Sequence, residues 1–466
     1  MDVLFINRSY WPDAEATGQL LTELCEEIAK TEDLRVSVIC GQPNLNLEEL
    51  EFQPSGTVVH NGVTIHRVRH SRFDKATFFG RITNFVTFLI AATWKSMFCK
   101  RPDLIVVETD PPLLCLLGWF VSTLRRTKLV CYLQDVYPDI AIELRRLKNN
   151  WFTRLLRKCF LFVYRASDRV VVVGQDMRNW LINHMLQGDR VQIIENWVDT
   201  DLVHPIKEGN QFREAHNLNG KFVAMYSGNL GFTQRFEHVL QAAEELNEFD
   251  EIVFVFVGNG VKRSELIADV ERRGLTNVMF VGYQPKNYLA HSLSAADLHF
   301  VLLDKRLTQF MLPSKIYSAF ASGTPVLGIG ARQSPLADKR TDSHIANMID
   351  TNSAGFFVEE DSPGEIAKRI LELYNDRELC LQMQQNARLA AEENYSRRNA
   401  TNGFLSLFND VTGTQFEMLP PVFAEPIADR PVFEQPNPDD AIATQPQEQF
   451  SPEPNRSSVE FKIQRT

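Results

Sequence analysis

One stretch, LPSKIYSAFASGTPVLGIG at residues 312–330, places polar and basic side chains where a short helix should begin. Proline suits the first turn of a helix, serine can cap it, and Gly323 fits a left-handed exit, so we predict a helix over residues 314–322. Unpaired backbone N–H groups at its start and the ammonium of Lys315 would attract an anion such as a diphosphate. The candidate binding residues are Ser314, Lys315 and Ser318. An ordinary strand–helix–strand crossover is the alternative.

A second stretch, MYSGNLGFTQRFEHVLQAA, has a glycine-containing turn between an apolar strand and an amphipathic helix. Gly228 would let the backbone approach a phosphate, and the turn would offer backbone donors to it. Asn229 and Gln234 would supply neutral donors and Arg235 a positive charge. Such turns also serve only to connect elements, so this stretch alone is weak evidence for a ligand.

The elements that position these residues follow from an alternation of short apolar runs with longer amphipathic stretches. This pattern is typical of parallel strands that are buried on both faces and linked by helices. In the first half, strands are predicted at residues 3–7, 35–40, 103–108, 129–133, 169–173 and 191–194, with a hairpin at 57–68. Helices are predicted at 17–30, 82–99, 112–125, 150–165 and 175–184.

A polar stretch, residues 201–220, separates a second series with strands predicted at 222–226, 252–257, 278–281, 298–303 and 326–329. The predicted fold class is α/β, with two Rossmann-like, doubly wound parallel-sheet domains that face a cleft. Such sheets bind ligands beyond the carboxyl ends of their strands, so function is expected in those loops. We predict a first domain over 1–200 and a second over 201–410, whose last helix could pack back on the first.

The C-terminal part of the chain differs in composition. From about Gly413 onward Pro, Gln, Glu and Asp replace the hydrophobic periodicity, as in PPVFAEPIADRPVFEQPNPDD. Segments of this kind cannot bury enough apolar surface to fold. We predict a disordered acidic, Pro/Gln-rich tail over residues 411–466.

Length, composition and charge exclude several classes of protein. At 466 residues the chain is too long for one ordinary core, which favours two domains. With 44% hydrophobic and 23% charged residues, it matches globular proteins and not collagenous or multispan membrane chains. A net charge of −10 argues against a nucleic-acid partner, because neutralising phosphates requires a basic surface.

Cysteine usage and hydropathy indicate a cytoplasmic protein. The 7 cysteines lie far apart without a CxxC pair, so we interpret them as reduced thiols. The first predicted strand leaves no room for a secretory leader before it. The most apolar runs, residues 85–94 and 113–124, are shorter than the roughly 18–20 residues that cross a bilayer. We therefore expect no transmembrane helix.

Taken together, these stretches resemble the glycosyltransferase family 4 group of GT-B enzymes, in particular the members similar to colanic-acid and O-antigen transferases. The resemblance covers about residues 1–410. It rests on seven motifs in order: YWPDAEATG (10–18), LQDVYPD (133–139), ENWVDTDL (195–202), YSGNLGFTQ (226–234), FVGNGVKRSEL (256–266), FVGYQP (280–285) and PSKIYSAFASGTPV (313–326). Seven ordered matches are far more specific than any one of them.

The resemblance implies retaining transfer of a sugar from a nucleoside-diphosphate sugar to a glycan or polyprenyl-linked acceptor, in exopolysaccharide, O-antigen or capsule biosynthesis. It implies no metal and no other cofactor, since helix N-termini and fixed donors can stabilise the departing diphosphate. It also implies that Gly18, at the start of the first helix, borders the donor phosphates and the acceptor. Asp135, at the end of a strand, is the candidate catalytic residue that contacts the transferring sugar. A turn or helix-capping carboxylate is the alternative for Asp135.

Two features depart from the family pattern. Many members carry two glutamates with seven residues between them, and Phe310 and Ser318 occupy those positions here. The Arg and Lys that commonly hold the diphosphate align with Asn229 and Gln234. We therefore expect the charge of the diphosphate to be met by Lys315, Arg235 or Arg306 and by backbone donors.

One further segment, from Arg145 to Arg169, combines basic residues with tryptophan, phenylalanine and leucine in RRLKNNWFTRLLRKCFLFVYRASDR. This composition is typical of a helix that lies on an anionic membrane surface, which would suit a polyprenyl-linked acceptor. A core helix with a charged outer face is the alternative.

Two other functions stay open at this point. A nucleotide-sugar epimerase of the same architecture would also bind a diphosphate in the cleft, but its catalytic carboxylates are not evident here. A nucleotide-sugar-binding scaffold that has lost turnover would explain Phe310 and Ser318 in place of the glutamates.

Overall fold

The computed structural model describes residues 1–13, 16–43, 55–73, 78–184, 186–206, 208–334, 342–360 and 362–420. Within them lie a sheet of eight strands and a sheet of six strands, which belong to one compact unit of the chain. We call the first sheet with its helices the first lobe and the second sheet with its helices the second lobe. The predicted α/β fold with two doubly wound, largely parallel sheets is confirmed.

The first lobe alternates strands and helices along the chain. Its elements are β1 (Asp2–Ile6), α1 (Ala16–Ile28), β2 (Arg35–Cys40), β3 (Gly56–His60), β4 (Val63–Arg67), α2 (Phe78–Phe98), β5 (Leu104–Val107), α3 (Leu114–Arg125), β6 (Lys128–Leu133), α4 (Asp139–Glu143), α5 (Trp151–Ala166), β7 (Arg169–Val172), α6 (Gln175–Asn183) and β8 (Val191–Ile193). The strand order is β3-β4-β2-β1-β5-β6-β7-β8, with β3 antiparallel to β4 and the other neighbours parallel.

The order of these strands reverses direction at β1, which places helices on both faces of the sheet. The connection from β1 to β2 runs one way and those from β5 to β6 to β7 run the other, so right-handed crossovers put α1 opposite α3 and α5. Helix α2 contacts α3, and α3 contacts α5. Gly118 permits the close fit of α3, because a Cβ there would lie 2.7 Å from Cγ1 of Val107.

The second lobe repeats the alternation. Its elements are α7 (Gln211–Ala215), β9 (Phe222–Ser227), α8 (Glu237–Glu245), β10 (Ile252–Val257), α9 (Arg263–Arg273), β11 (Val278–Val281), α10 (Leu289–Ser294), β12 (Leu298–Leu302), α11 (Lys315–Ala321), β13 (Val326–Gly330), α12 (His344–Thr351), β14 (Gly355–Glu359), α13 (Pro363–Asn375), α14 (Arg377–Glu393) and α15 (Arg397–Thr412). The strands run parallel in the order β11-β10-β9-β12-β13-β14. The predicted domain boundary at residue 200 falls between β8 and α7.

The last helix, α15, leaves the second lobe and packs on the first. It contacts α1, and the ring of Phe404 lies 5.2 Å from the ring of Tyr132 on β6. The ring of Phe408 lies 6.5 Å from that of Phe5 on β1. Aromatic side chains of α15 therefore complete the core over one face of the first sheet.

The residues that come after α15 in the chain are hydrogen-bonded to side chains of that helix. Asn409 Oδ1 accepts a hydrogen bond from the N–H of Phe416 at 2.8 Å, and Asn402 Oδ1 accepts one from the N–H of Leu419 at 2.8 Å. Hydrogen-bonded structure thus reaches past the predicted start of the tail at residue 411. The rest of the predicted tail, residues 421–466, lies outside the described residues. No helix in the described part of the chain combines the length and the hydropathy that crossing a bilayer requires.

Candidate active site

The carboxyl ends of the two sheets face each other across a cleft. The N–H of Val136, after β6, donates to the carbonyl of Phe310, after β12, at 2.9 Å. Asp135 and Met311 form an isolated antiparallel bridge beside this bond. The ring of Phe310 lies 6.1 Å from that of Trp180 on α6. The loops that were expected to carry function therefore meet between the lobes, and Phe310 serves as a buried contact between them.

A second contact joins the lobes through the start of α12. The N–H of His344 donates to Asp176 Oδ2, at the start of α6, at 2.8 Å. His344 Nε2 lies 3.3 Å from Glu195 Oε1, just after β8. A Cβ on Gly174 would come within 3.2 Å of the His344 ring, so glycine leaves the space that this contact needs.

The helix predicted over residues 314–322 is α11, within one residue at each end. Gly323 follows it with φ +63°, the left-handed conformation that was expected. Ser314 occupies the N-cap position, but it has a helical backbone and its hydroxyl makes no capping hydrogen bond. Ser318 lies one turn further along α11 and is half-buried. The serines thus flank Lys315 on one short helix.

Lys315 reaches from α11 to the turn after β9. Its Nζ lies 5.1 Å from the centre of the Tyr226 ring, a cation–π contact. A Cβ on Gly228 would lie 2.5 Å from Lys315 Cε, so any other residue there would push the lysine side chain away from its present position. The structure therefore brings together Lys315 and Gly228 from the two stretches that the sequence singled out.

The ammonium of Lys315 is poorly solvated. Burial lowers its pKa to about 8, and no carboxylate in the described structure offsets that effect. A cation of this kind favours an anionic ligand, because a ligand charge replaces solvation that the ammonium has lost.

Arg235 and Arg306, the two arginines that were expected to bind the diphosphate, already pair with carboxylates of the protein. Arg306 donates to Asp304, with Nε 2.9 Å from Oδ1 and Nη2 2.5 Å from Oδ2. Arg235 Nη1 lies 3.6 Å from Glu360 Oε1 and 3.9 Å from Asp304 Oδ2. Burial acts to raise the pKa of Asp304, but hydrogen bonds from Arg306 hold it below its ordinary value, so this carboxylate is charged. Both arginines therefore face carboxylates, whereas Lys315 faces none among the residues that the structure describes.

Hydrogen bonds within the protein occupy much of the glycine turn after β9. The N–H of Gly228 donates to the carbonyl of Val257 at 2.9 Å, and that of Leu230 to the carbonyl of Asn259 at 2.9 Å. The N–H of Gly231 donates to the carbonyl of Asn229 at 3.1 Å and to Gln234 Oε1 at 3.3 Å. The turn therefore uses these three N–H groups, which were expected to face a phosphate, to hold its own shape.

Asn229 and Gln234 contribute to the same turn. Gln234 is buried and accepts from Gly231, and the side chain of Asn229 packs against Gly231 and Gly260. A Cβ on Gly258 would overlap the carbonyl oxygen of Gly228, so the turns after β9 and β10 are stacked backbone against backbone. The two amides thus shape the wall beside Lys315.

Two carboxyl groups lie at neighbouring strand ends of the first lobe. Asp110 follows β5 and is held by Arg8, with Nη2 2.9 Å from Oδ2 and Nε 3.3 Å from Oδ1. Asp135 follows β6 and is half-buried. Burial, together with the charge of Asp110, raises the pKa of Asp135 to about 7. Asp135 can therefore accept a hydrogen bond from a sugar hydroxyl or exchange a proton near neutral pH.

Gly18 packs against the turn after β1. A Cβ there would be 2.6 Å from Ser9 Oγ, so glycine lets α1 approach the turn after β1. Ser9 Oγ in turn donates to Asp13 Oδ2 at 2.8 Å. These contacts stay within the first lobe.

Several charged residues of the cleft were not among the sequence candidates. They are Arg8, Asp110, Asp304 and Glu360. Asp110, Asp304 and Glu360 each come just after a strand, in VVETDPP, FVLLD and FFVEE. The strand-end position was the signal that could have found them, but Glu360 also required β14, which was not predicted.

Two family models match this chain. The model for glycosyltransferase family 4 matches residues 17–202, and the model for glycosyl transferases group 1 matches residues 208–390. Together they account for most of the chain, with one model on each lobe. The fold and the facing strand ends are those of the GT-B class of glycosyltransferases. The chain belongs to this class, and within it to the family 4 group.

Curated relatives support the assignment to glycosyltransferases. The chain is 26% identical over 280 residues to the probable glycosyltransferase WbjE of Pseudomonas aeruginosa, covering 59% of this chain and 66% of the relative, just under two thirds of its length. It is 23% identical over 343 residues to the putative colanic acid biosynthesis glycosyl transferase WcaI of Escherichia coli, covering 69% and 82%. The chain is thus related to enzymes of polysaccharide biosynthesis.

Structural similarity extends over nearly the whole described fold. Sucrose-phosphate synthase from Thermosynechococcus elongatus superposes with a TM-score of 0.69 at 15% identity, covering 89% of this chain and 99% of that one. Anabaena HepE, solved in complex with UDP-glucose, superposes with a TM-score of 0.66 at 14% identity, covering 88% and 100%. At these identities the likeness establishes the fold.

Proposed function

We propose that the chain is a retaining glycosyltransferase that moves a hexosyl or related sugar from a nucleoside-diphosphate sugar to a glycan or polyprenyl-linked acceptor. The pathway would be exopolysaccharide, O-antigen or capsule biosynthesis. Membership of the family and the similarity to WbjE support the transfer, the similarity to WcaI supports the pathway, and the UDP-glucose bound to HepE supports the donor. The observation that carries the donor site is Lys315, a poorly solvated, half-buried cation beside a glycine turn, for which the described residues supply no carboxylate partner.

Lys315 would bind the diphosphate and stabilise it as it leaves. An incoming anion raises the pKa of Lys315 from about 8, so the ammonium is fully charged when the donor is bound. A preorganised charge in a water-poor site stabilises developing negative charge without reorganising. We propose that transfer needs no metal ion and no other cofactor. Arg235 and Arg306, which face Asp304 and Glu360, would support the turn and not neutralise the donor.

Asp135 would orient the transferring sugar from the first lobe. Its bridge to Met311 holds it next to the loop that leads into α11 in the second lobe. With a pKa of about 7 it is partly ionised at neutral pH and can accept a hydrogen bond from a sugar hydroxyl. Asp135 and Lys315 thereby act on the sugar and on the diphosphate, respectively.

We further propose that the enzyme works at the cytoplasmic face of a membrane, with basic residues of α5 adsorbed on anionic lipid. Trp151, Phe152, Leu155 and Phe162 of α5 are exposed, whereas Phe160 and Tyr164 are buried. The segment from Arg145 to Arg169 thus has a buried side and an outer side that carries both apolar and basic residues. All seven cysteines are free, which supports a reducing compartment.

A thermal-shift screen with UDP, GDP, ADP and dTDP tests the donor site. A ligand that binds only the folded state raises the melting temperature, so we expect one nucleotide to stabilise the wild type. Lys315→Met, which keeps the length of the side chain and removes its charge, should lose most of that shift. The control is Lys368→Met, an exposed lysine 3.2 Å from Glu365 on α13, which should keep the shift. Equal shifts in all three proteins would exclude Lys315 as the diphosphate ligand.

Product analysis with a panel of sugars on that nucleotide separates the competing functions. Released nucleotide together with an elongated acceptor is the expected result, with or without EDTA. An isomerised sugar would identify an epimerase. Tight binding without any product would identify a scaffold.

A further inference from the structure

Helix α2 carries an exposed apolar stripe along its length. Every fourth residue is apolar and faces outward, with exposed fractions between 42% and 70%: Ile82, Val86, Ile90, Trp94 and Phe98. Residues four apart lie above one another on a helix, so these five side chains form one continuous band. Phe88 and Ala92, on the other side of the same helix, are fully buried. A helix that packs on a sheet normally presents a polar outer face, and α2 does not.

The stripe continues across the two neighbouring helices. Phe120 and Leu124 are exposed on α3, which contacts α2. Phe162 is exposed on α5, and its ring lies 5.3 Å from that of Trp119 on α3. We call the outer surface of α2, α3 and α5 the three-helix face. An apolar surface this broad, made by adjacent elements, marks an interaction site.

The charge of the three-helix face identifies its partner. The chain as a whole has 59 acidic and 49 basic residues, yet α2, α3 and α5 contain no aspartate or glutamate. Their charged residues are all basic: Arg81, Lys95, Arg125, Arg154, Arg157, Lys158 and Arg165. Of these, Arg157 pairs with Asp139 of α4. Apolar side chains among basic ones match the acyl region of a bilayer beneath anionic headgroups.

We infer that α2 lies in the plane of an anionic bilayer and inserts its apolar stripe into the acyl region, with the edges of α3 and α5 beside it. A helix of 21 residues rises about 30 Å, so the stripe presents a contact of that length to the lipid. The inference extends the membrane contact of the proposed function from electrostatic adsorption by α5 to hydrophobic insertion by α2. It stands on the first lobe alone and does not depend on the donor site.

Flotation of the full chain with vesicles of phosphatidylcholine and phosphatidylglycerol tests the inference. Salt screens adsorption by surface charges but leaves apolar insertion in place, so the wild type should float in about 0.1 M and in about 1 M salt. Ile90→Gln with Trp94→Gln should weaken vesicle binding at least about tenfold at both salt concentrations, because two inserted side chains are lost. The matched control is Leu381→Gln with Leu389→Gln, two exposed leucines of α14, which should float as the wild type does.

The outcomes separate insertion from other uses of the face. An unchanged melting temperature shows that the α2 variant is folded, and Trp94→Phe should reduce the quenching that brominated lipids cause in the wild type, with the remainder coming from exposed Trp151 on α5. Flotation of the α2 variant equal to that of the wild type would overturn the inference. So would a wild type that fails to float and sediments as a dimer while the α2 variant is a monomer. Nucleotide binding should be the same in all these proteins, so failure of the donor site would leave this test intact.

Discussion

At the scale of single residues, two ionisable side chains in the cleft have pKa values displaced toward neutrality from opposite directions. Burial lowers the pKa of Lys315 to about 8, and burial with the charge of Asp110 raises that of Asp135 to about 7. In both cases the protein environment disfavours the charged form. An anionic donor restores the charge on Lys315, so ligand binding and protonation are coupled there.

Asp135→Asn should raise the free energy of unfolding at pH 8 and change it little at pH 4. The folded-state pKa of about 7 lies above the ordinary value of 3.8, so the native carboxyl binds its proton more tightly than the unfolded chain does. That contribution is fully present below about pH 4 and is lost as the pH rises through 7. At about 1.4 kcal/mol per unit, and discounted for partial exposure, we expect a gain of about 1–3 kcal/mol.

Urea unfolding of the wild type and Asp135→Asn between pH 4 and pH 8 measures this difference. Asp189→Asn, an exposed carboxyl on the outside of the first lobe, controls for the loss of one charge. Parallel stability profiles for the wild type and Asp135→Asn would show that Asp135 titrates as it does in the unfolded chain.

The residues around Lys315 show what the sequence could and could not predict. Lys315 and Gly228 each follow an apolar strand, and the carboxyl ends of parallel strands share one edge of a sheet, so local pattern places both residues at that edge. The pairing of Arg235 with Glu360 and Asp304 depends on the spatial order of β9, β12, β13 and β14. No local pattern encodes that order, so the sequence alone led us to expect that Arg235 and Arg306 would bind the diphosphate.

At the scale of elements, the predicted strands agree with the structure because runs of Val, Ile and Phe between glycine or polar turns carry a strong signal. The predicted strands at 252–257 and 278–281 have the bounds of β10 and β11. Strand β14 was not predicted, and its buried positions are only Phe357 and Val358, at the edge of the sheet. A short edge strand has little apolar pattern, which explains why Glu360 was missed.

Gly258→Ala should destabilise the second lobe by about 2–4 kcal/mol, because it adds a clash to a strained backbone. The φ of Gly258 is +126°, and a Cβ there would overlap the carbonyl oxygen of Gly228. Displacing Gly228 would also move the wall that Lys315 packs on, so the thermal shift caused by the nucleotide should shrink.

The matched control is Gly274→Ala. Gly274 also has a positive φ, +66°, but a Cβ there meets nothing within 4 Å. We expect a cost of about 1 kcal/mol and an unchanged nucleotide shift. If both variants lost the same stability and kept the same shift, close packing of the two turns would play no part in the donor site.

At the scale of the whole molecule, the chain does not divide cleanly at the point where the second sheet begins. Phe404 and Phe408, near the end of the described chain, are fully buried against the first sheet. The amphipathic pattern of α15 predicts a buried side but does not say which sheet covers it. The first lobe therefore needs a helix that is synthesised after the whole second lobe, which links the stability of the first lobe to the C-terminal part of the chain.

Phe408→Ala should loosen the first sheet and leave the second sheet protected. Removing a buried phenylalanine costs about 3–5 kcal/mol, and Phe408 packs on Phe5 of β1 and on Phe404. Hydrogen–deuterium exchange followed by peptide mass spectrometry should show faster exchange in β1 and β6 and unchanged exchange in β9 and β10. Phe300→Ala is the matched control, because it removes a buried phenylalanine from the second sheet. Phe300 lies on β12 with its ring stacked 6.0 Å from that of Phe254 on β10. It should speed exchange in the second sheet instead.

Faster exchange in β9 and β10 of Phe408→Ala would mean that α15 also stabilises the second lobe. The two lobes would then form a single cooperative core.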